Sequence, residues 1–153
     1  MPAKKPAAAK KTAPKAAAAR KTAPKRAAAQ VKKPRAVICD DDAMTRSIER
    51  SVLERAGYDV MAEVGTAIEA LQLCLNFRPD VLLLDLVLPA MSGEDVIPAI
   101  NTGAPDTTII IVSSFDPSAA VHAGARFVVP KTSNKELESL LVTLAARPRR
   151  SAS

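Results

Sequence analysis

The sequence predicts an α/β fold: a doubly wound sheet of five parallel strands, helices on both faces, preceded by a disordered basic tail. Three observations carry this expectation. Several apolar runs are continuous rather than alternating, as in strands buried on both faces. Helix-period segments stand between them, so strand and helix alternate five times. Charge divides the chain, because residues 1–35 hold 12 Lys or Arg and no acid, whereas residues 36–146 hold all 16 acids and 7 Lys or Arg.

The elements follow in order. Ala36–Cys39 is a short apolar run before three acids, and reads as the first strand. Residues 43–56 place Met44, Ile48, Val52 and Ala56 four apart, a helical face that Gly57 ends. Tyr58–Val64 alternates and forms the second strand. Thr66 and Glu69 match a capping box that opens a helix with Ile68, Ala70, Leu71 and Leu75. Val81–Leu84 is the third strand, and Asp85 ends it. Residues 89–93 are loop, and Glu94–Ile100 is a short helix that Pro98 limits or kinks. Thr108–Val112 is a β-branched fourth strand. Ser118–Ala123 allows a helix of about two turns. Arg126–Val129 is the fifth strand, and Ser133 and Glu136 form a second capping box before Leu137, Leu140, Leu141 and Leu144.

The tail is a different material. Residues 1–35 contain 13 Ala and 5 Pro, and Lys-Thr-Ala-Pro-Lys occurs at 11–15 and again at 21–25. Met1 and Val31 are its large apolar residues. Such a segment buries too little surface to offset its ordering entropy. The expected organisation is a disordered tail over 1–35, a folded domain over 36–146 and a short basic end over 147–153.

Composition also excludes classes. No apolar run reaches the ~18 residues that span a bilayer, and the charged N-terminus lacks a secretory apolar region. Cys39 and Cys74 match neither a zinc pattern nor a disulfide framework, so they read as buried packers in a reducing, cytoplasmic setting.

Ligands of open parallel sheets bind at the carboxyl ends of the strands. The first strand ends in Asp40-Asp41-Asp42, the third in Asp85, the fourth in Ser113-Ser114, and the fifth precedes Lys131. Converging carboxylates repel one another unless a cation binds. An all-oxygen set suits Mg²⁺, which takes a few carboxylates together with phosphate. A lysine and a hydroxyl beside it neutralise and hydrogen-bond a phosphoryl group. Phosphoryl transfer onto a carboxylate is the indicated chemistry.

The chain from about 36 to 146 resembles the receiver domain of two-component response regulators. The resemblance rests on Val-Ile-Cys-Asp-Asp-Asp at 37–42 with Arg46 following, and on Asp-Val-Leu-Leu-Leu-Asp-Leu-Val-Leu-Pro-Ala-Met-Ser-Gly at 80–93. Ile-Ile-Ile-Val-Ser-Ser at 109–114 and Val-Val-Pro-Lys-Thr at 128–132 complete it. It implies a flavodoxin-like receiver fold, with Asp85 the phosphoacceptor. Asp40, Asp41 and Asp85 would hold Mg²⁺ with the backbone carbonyl of Val87. Ser113 would hydrogen-bond the phosphoryl oxygen, and Lys131 would pair with Asp85 and then with the phosphate. Asp42 would be a bystander. The donor would be a phosphohistidine on a kinase or phosphotransfer protein, and no external metabolite substrate is expected.

Two departures stand out. Receivers usually carry a switch aromatic three positions before the lysine, where this sequence has Val128; Phe127 stands one earlier and should face the other way. The interval from Ser113 to Lys131 is 18 positions, about one helical turn short, which leaves the route of dimerisation open. His122 reads as an incidental polar residue. No C-terminal output segment is expected.

The tail resembles those of linker histones and some nucleoid proteins, and fits sequence-independent binding of DNA or RNA. Solubilisation, an acidic protein partner and an anionic membrane surface remain open readings. The principal expectation is therefore a phosphorylation-dependent response regulator. The alternative is a nucleoid-associated binding protein that uses the receiver fold as a constitutive scaffold. Asp85 is followed by Leu-Val-Leu, so the Asp-x-Asp of aspartyl-phosphatases is absent.

Overall fold

The apolar runs become strands because each buries side chains on both faces. The computed structural model describes residues 31–114, 118, 121 and 123–148. Its elements are β1 (Arg35–Cys39), α1 (Ala43–Arg55), β2 (Asp59–Val64), α2 (Ala67–Phe77) and β3 (Val81–Leu84), followed by a 3-10 turn (Gly93–Val96). Then come α3 (Ile97–Gly103), β4 (Thr108–Ser113), β5 (Phe127–Pro130) and α4 (Asn134–Ala145). All pairings are parallel, in the order β2-β1-β3-β4-β5. The predicted five-stranded doubly wound sheet is the fold found.

Alternate strand residues feed two cores. Val37, Cys39, Leu82, Leu84, Ile109 and Ile111 pack with α2 and α3 residues such as Ala70, Cys74 and Ile100. Ala36, Ile38, Leu83, Ile110 and Val112 pack on the other face with Val52 and Leu53 of α1 and Leu137 and Leu141 of α4. The chain leaves β1 for β2 on one side, then crosses back to β3 on the other. The strand order therefore reverses between β1 and β3, the place where such sheets open a crevice.

Several local expectations are corrected. The expected α1 face was Met44, Ile48, Val52 and Ala56, but Met44 and Ile48 are exposed, and Glu49, Val52 and Leu53 are buried. A strict four-residue spacing drifts about 40° per step on a helix of 3.6 residues per turn, so such a row spirals off the core. On α2 the buried row is Ala67, Ala70 and Cys74, while Ile68 and Leu75 are exposed; the sheet meets this helix one residue, about 100°, away from the expected row. Pro98 sits in the first turn of α3 and starts the helix rather than kinking it. The Ser133 side chain makes no capping hydrogen bond. Ser92 and Asp95 instead form a reciprocal box on the 3-10 turn. Thr66 caps α2 as expected: its hydroxyl accepts from the Glu69 N–H and donates to Glu69 Oε2.

Arg35, assigned to the tail by composition, is the first residue of β1. Its N–H donates to Asp80 Oδ2 at 2.7 Å, and its guanidinium donates to the carbonyls of Phe77 and Arg78. The expected disordered tail lies outside the described residues up to position 30, as does His122. The helix expected over 118–123 also lies largely outside them.

Candidate active site at the strand ends

Asp40 follows β1 and Asp85 follows β3, so both flank the crevice where the strand order reverses. Both are buried, whereas Asp41 is exposed. One carboxylate oxygen from each of the three lies within 4.8 Å of the others. β5 delivers Lys131, whose Nζ is 2.6 Å from Asp40 Oδ2 and 2.8 Å from Asp85 Oδ2. The ammonium thus joins the two buried carboxylates, a pairing with Asp40 that the sequence alone did not reveal. Burial works against the charge of Lys131, but hydrogen bonding and attraction from Asp40 and Asp85 outweigh it and push its pKa up.

Backbone groups complete the fixation. The Asp42 N–H donates to Asp40 Oδ1 at 2.8 Å, and the Val87 N–H donates to Asp85 Oδ1 at 3.2 Å. The side chain of Val87 is exposed. Ser113 is buried at the end of β4, and its carbonyl accepts from the Lys131 N–H at 3.2 Å. Gly93 lets the loop after β3 close: a Cβ there would lie 2.1 Å from the Asp85 carbonyl oxygen.

Asp42, expected as a bystander, caps α1. Its carboxylate accepts from the Thr45 N–H and hydroxyl, which lowers its pKa. The Asp-x-x-Thr spacing before a helix was the available signal. Glu49 was missed altogether: it is buried on α1, with Oε2 unpartnered among the described residues. Burial first, then the Asp40 charge, push its carboxyl up to about 8. Cys39 and Cys74 are free, buried thiols, both raised to about 12 chiefly by burial. Phe127 packs in the α1/α4 core and Val128 in the α2/α3 core, with unbroken register against Ile110 and Ile111. The expected opposite facing of Phe127 is observed.

The three clustered carboxylates and the ammonium that pairs with two of them sum to a formal charge of −2, which one divalent cation balances. The donors are oxygens, and Asp41 opens the set to solvent, so the residues fit Mg²⁺. The sequence pattern of the response regulator receiver domain matches residues 36–142. The chain belongs to the response regulator receiver family.

Among the relatives of this receiver domain, chemotaxis protein CheY of Thermotoga maritima is 32% identical over 101 residues, which cover 63% of this chain and 84% of that protein. Response regulator MprA of a Mycobacterium species is 33% identical over 123 residues, covering 77% of this chain and 52% of that one. The crystal structure of a two-component response regulator of the LuxR family from an Aurantimonas species aligns with a TM-score of 0.67 and 30% identity, over 78% of this chain and 91% of that one. Other relatives are enzymes, of whose length the chain spans about a third. Among the described residues, no helix is long and apolar enough to cross a membrane.

Proposed function

We propose that this receiver domain is a phosphorylation-controlled switch in the cytoplasm, with Asp85 as phosphoacceptor. The observation that supports it most is the ion pairing of Lys131 with both Asp40 and Asp85, beside Asp41. An Asp85 carboxylate oxygen attacks the phosphorus of a phosphohistidine on a kinase or phosphotransfer protein. The new O–P bond forms as the P–N bond breaks, and the departing imidazole nitrogen keeps the electron pair. Lys131 offsets the charge that gathers on the phosphoryl oxygens. Mg²⁺, held by Asp40, Asp41, Asp85 and the carbonyl of Val87, supplies further charge neutralisation when bound. The Ser113 hydroxyl reads the new phosphoryl group from the end of β4. With Val128 at the usual aromatic position and Phe127 in the other core, output runs without an aromatic flip at that place.

Intact mass after incubation with Mg²⁺ and a small phosphodonor tests this. A single phosphoryl adduct on the wild type, absent from Asp85→Asn, is expected. An adduct that persists on Asp85→Asn refutes the assignment. No adduct on the wild type, with a control receiver labelled in parallel, favours the constitutive scaffold.

The 12 cations of residues 1–35, with no acid among them, support a second role: a folded domain over 36–146 tethered to DNA or RNA by its tail. Full neutralisation by the 11 cations that precede Arg35, whose guanidinium is held by the fold, predicts a log–log salt slope of about −10. Deleting residues 1–34 should abolish a gel shift that the full chain gives at low salt. Equal binding by the truncated chain overturns this role.

A further inference from the structure

Arg46 is half-buried on α1, and the mechanism above leaves it without a task. Its Nη1 donates to the carbonyl oxygen of Asp40 at 2.7 Å. Gly65, after β2, gives the guanidinium room: a Cβ built there would lie 3.9 Å from Nη1 and 3.9 Å from the Asp41 Cα. A methyl group fits that gap, but a longer side chain enters the guanidinium's space.

The carbonyl that Arg46 holds belongs to the peptide unit joining Asp40 to Asp41. Every other part of Asp40 is already tied. Its N–H donates to the Val64 carbonyl, Oδ1 accepts from the Asp42 N–H, and Oδ2 meets Lys131. Asp41 is different, being exposed at the mouth of the site. Rotation of the Asp40–Asp41 peptide plane would swing Asp41 away from Asp85. Pinning its carbonyl oxygen opposes that rotation.

We propose that Arg46 is a positioning residue that locks the Asp40–Asp41 peptide and so aims the Asp41 carboxylate at the cation site. This rests on the Mg²⁺ reading above. The sign of the effect separates it from simple electrostatics. A guanidinium beside a cation site repels the metal, so its charge alone predicts tighter Mg²⁺ binding once it is removed. Positioning predicts weaker binding.

The test is calorimetric titration of the full chain with Mg²⁺, with Asp40→Ala identifying the heat that belongs to this site. Arg46→Met keeps the apolar stem and removes the donor. It is expected to weaken Mg²⁺ binding by about ten-fold or more, the usual cost of losing a group that orients a metal ligand. Arg46→Lys, which keeps a donor and the charge, is expected to recover most of that loss. Urea unfolding in EDTA shows whether each variant is folded; should Arg46→Met not fold, Arg46→Lys compared with Gly65→Leu, which crowds the guanidinium, decides the matter. Unchanged or tighter binding in a folded variant lacking the Arg46 contact overturns the proposal alone. A wild type with no Asp40-dependent titration overturns the metal reading and this inference with it.

Discussion

Glu49 gives the protein a stability that falls with pH. The residue is 4% exposed, on the α1 face that packs against the sheet, with Oε2 unpartnered among the described residues. Burial, and next the charge of Asp40, raise its carboxyl from the ordinary 4.5 to about 8, while Lys131 pulls the other way. Between these values the folded state holds a proton that the unfolded chain releases. The folded state therefore binds more protons, and stability declines as pH rises. The contribution is fully present below about pH 4.5 and is lost through about pH 8. At about 1.4 kcal/mol per pH unit, the loss from Glu49 between about pH 5.5 and about pH 8.5 is about 3 kcal/mol. Glu49→Gln keeps the shape and removes the ionisation. Its stability advantage over the wild type should grow by about 3 kcal/mol across that interval. Urea unfolding followed by circular dichroism, in EDTA, measures this for both chains at both pH values. Titrating groups that do not interact with Glu49 are common to the two chains and cancel in the difference. An advantage that stays constant with pH, or shrinks as pH rises, would refute the reasoning.

Gly93→Ala should impair phosphorylation and cost about 1–3 kcal/mol, because the added methyl meets the Asp85 carbonyl at 2.1 Å; mass spectrometry of the phosphoryl adduct and urea unfolding check both effects. Tyr58→Phe should destabilise the domain by about 1 kcal/mol without changing adduct formation, since the Tyr58 hydroxyl donates to the Leu141 carbonyl at 3.0 Å in the α1/α4 core. The thiols of Cys39 and Cys74, both raised to about 12, should resist alkylation in the folded protein at about pH 8 and react on unfolding; rapid labelling of the native chain would contradict their burial.

The alternation of apolar runs with helix-period segments was enough to reach the five-stranded sheet, because strands buried on both faces have few other ways to be covered. The Asp triplet after β1, Asp85 after β3 and Lys131 after β5 were legible for the same reason: in a parallel sheet every strand end opens on one edge. What one-dimensional spacing could not supply was phase and distance. The faces of α1 and α2 were set by where the sheet lies, which left Met44, Ile48, Ile68 and Leu75 outside and drew Glu49 in. The contact of Lys131 with Asp40 as well as Asp85 joins residues about ninety positions apart, and it exists because β5 sits two strands from β3 with its end level with both. Likewise Arg46 stood in the sequence as one motif letter, and its tie to the Asp40 carbonyl follows from α1 folding back over the end of β1. Local pattern carries the identity of elements and of chemistry-bearing residues, since both follow from burial and residue type along the chain. Which carboxylate each cation meets depends on packing between segments distant in sequence, and that information resides in the folded state.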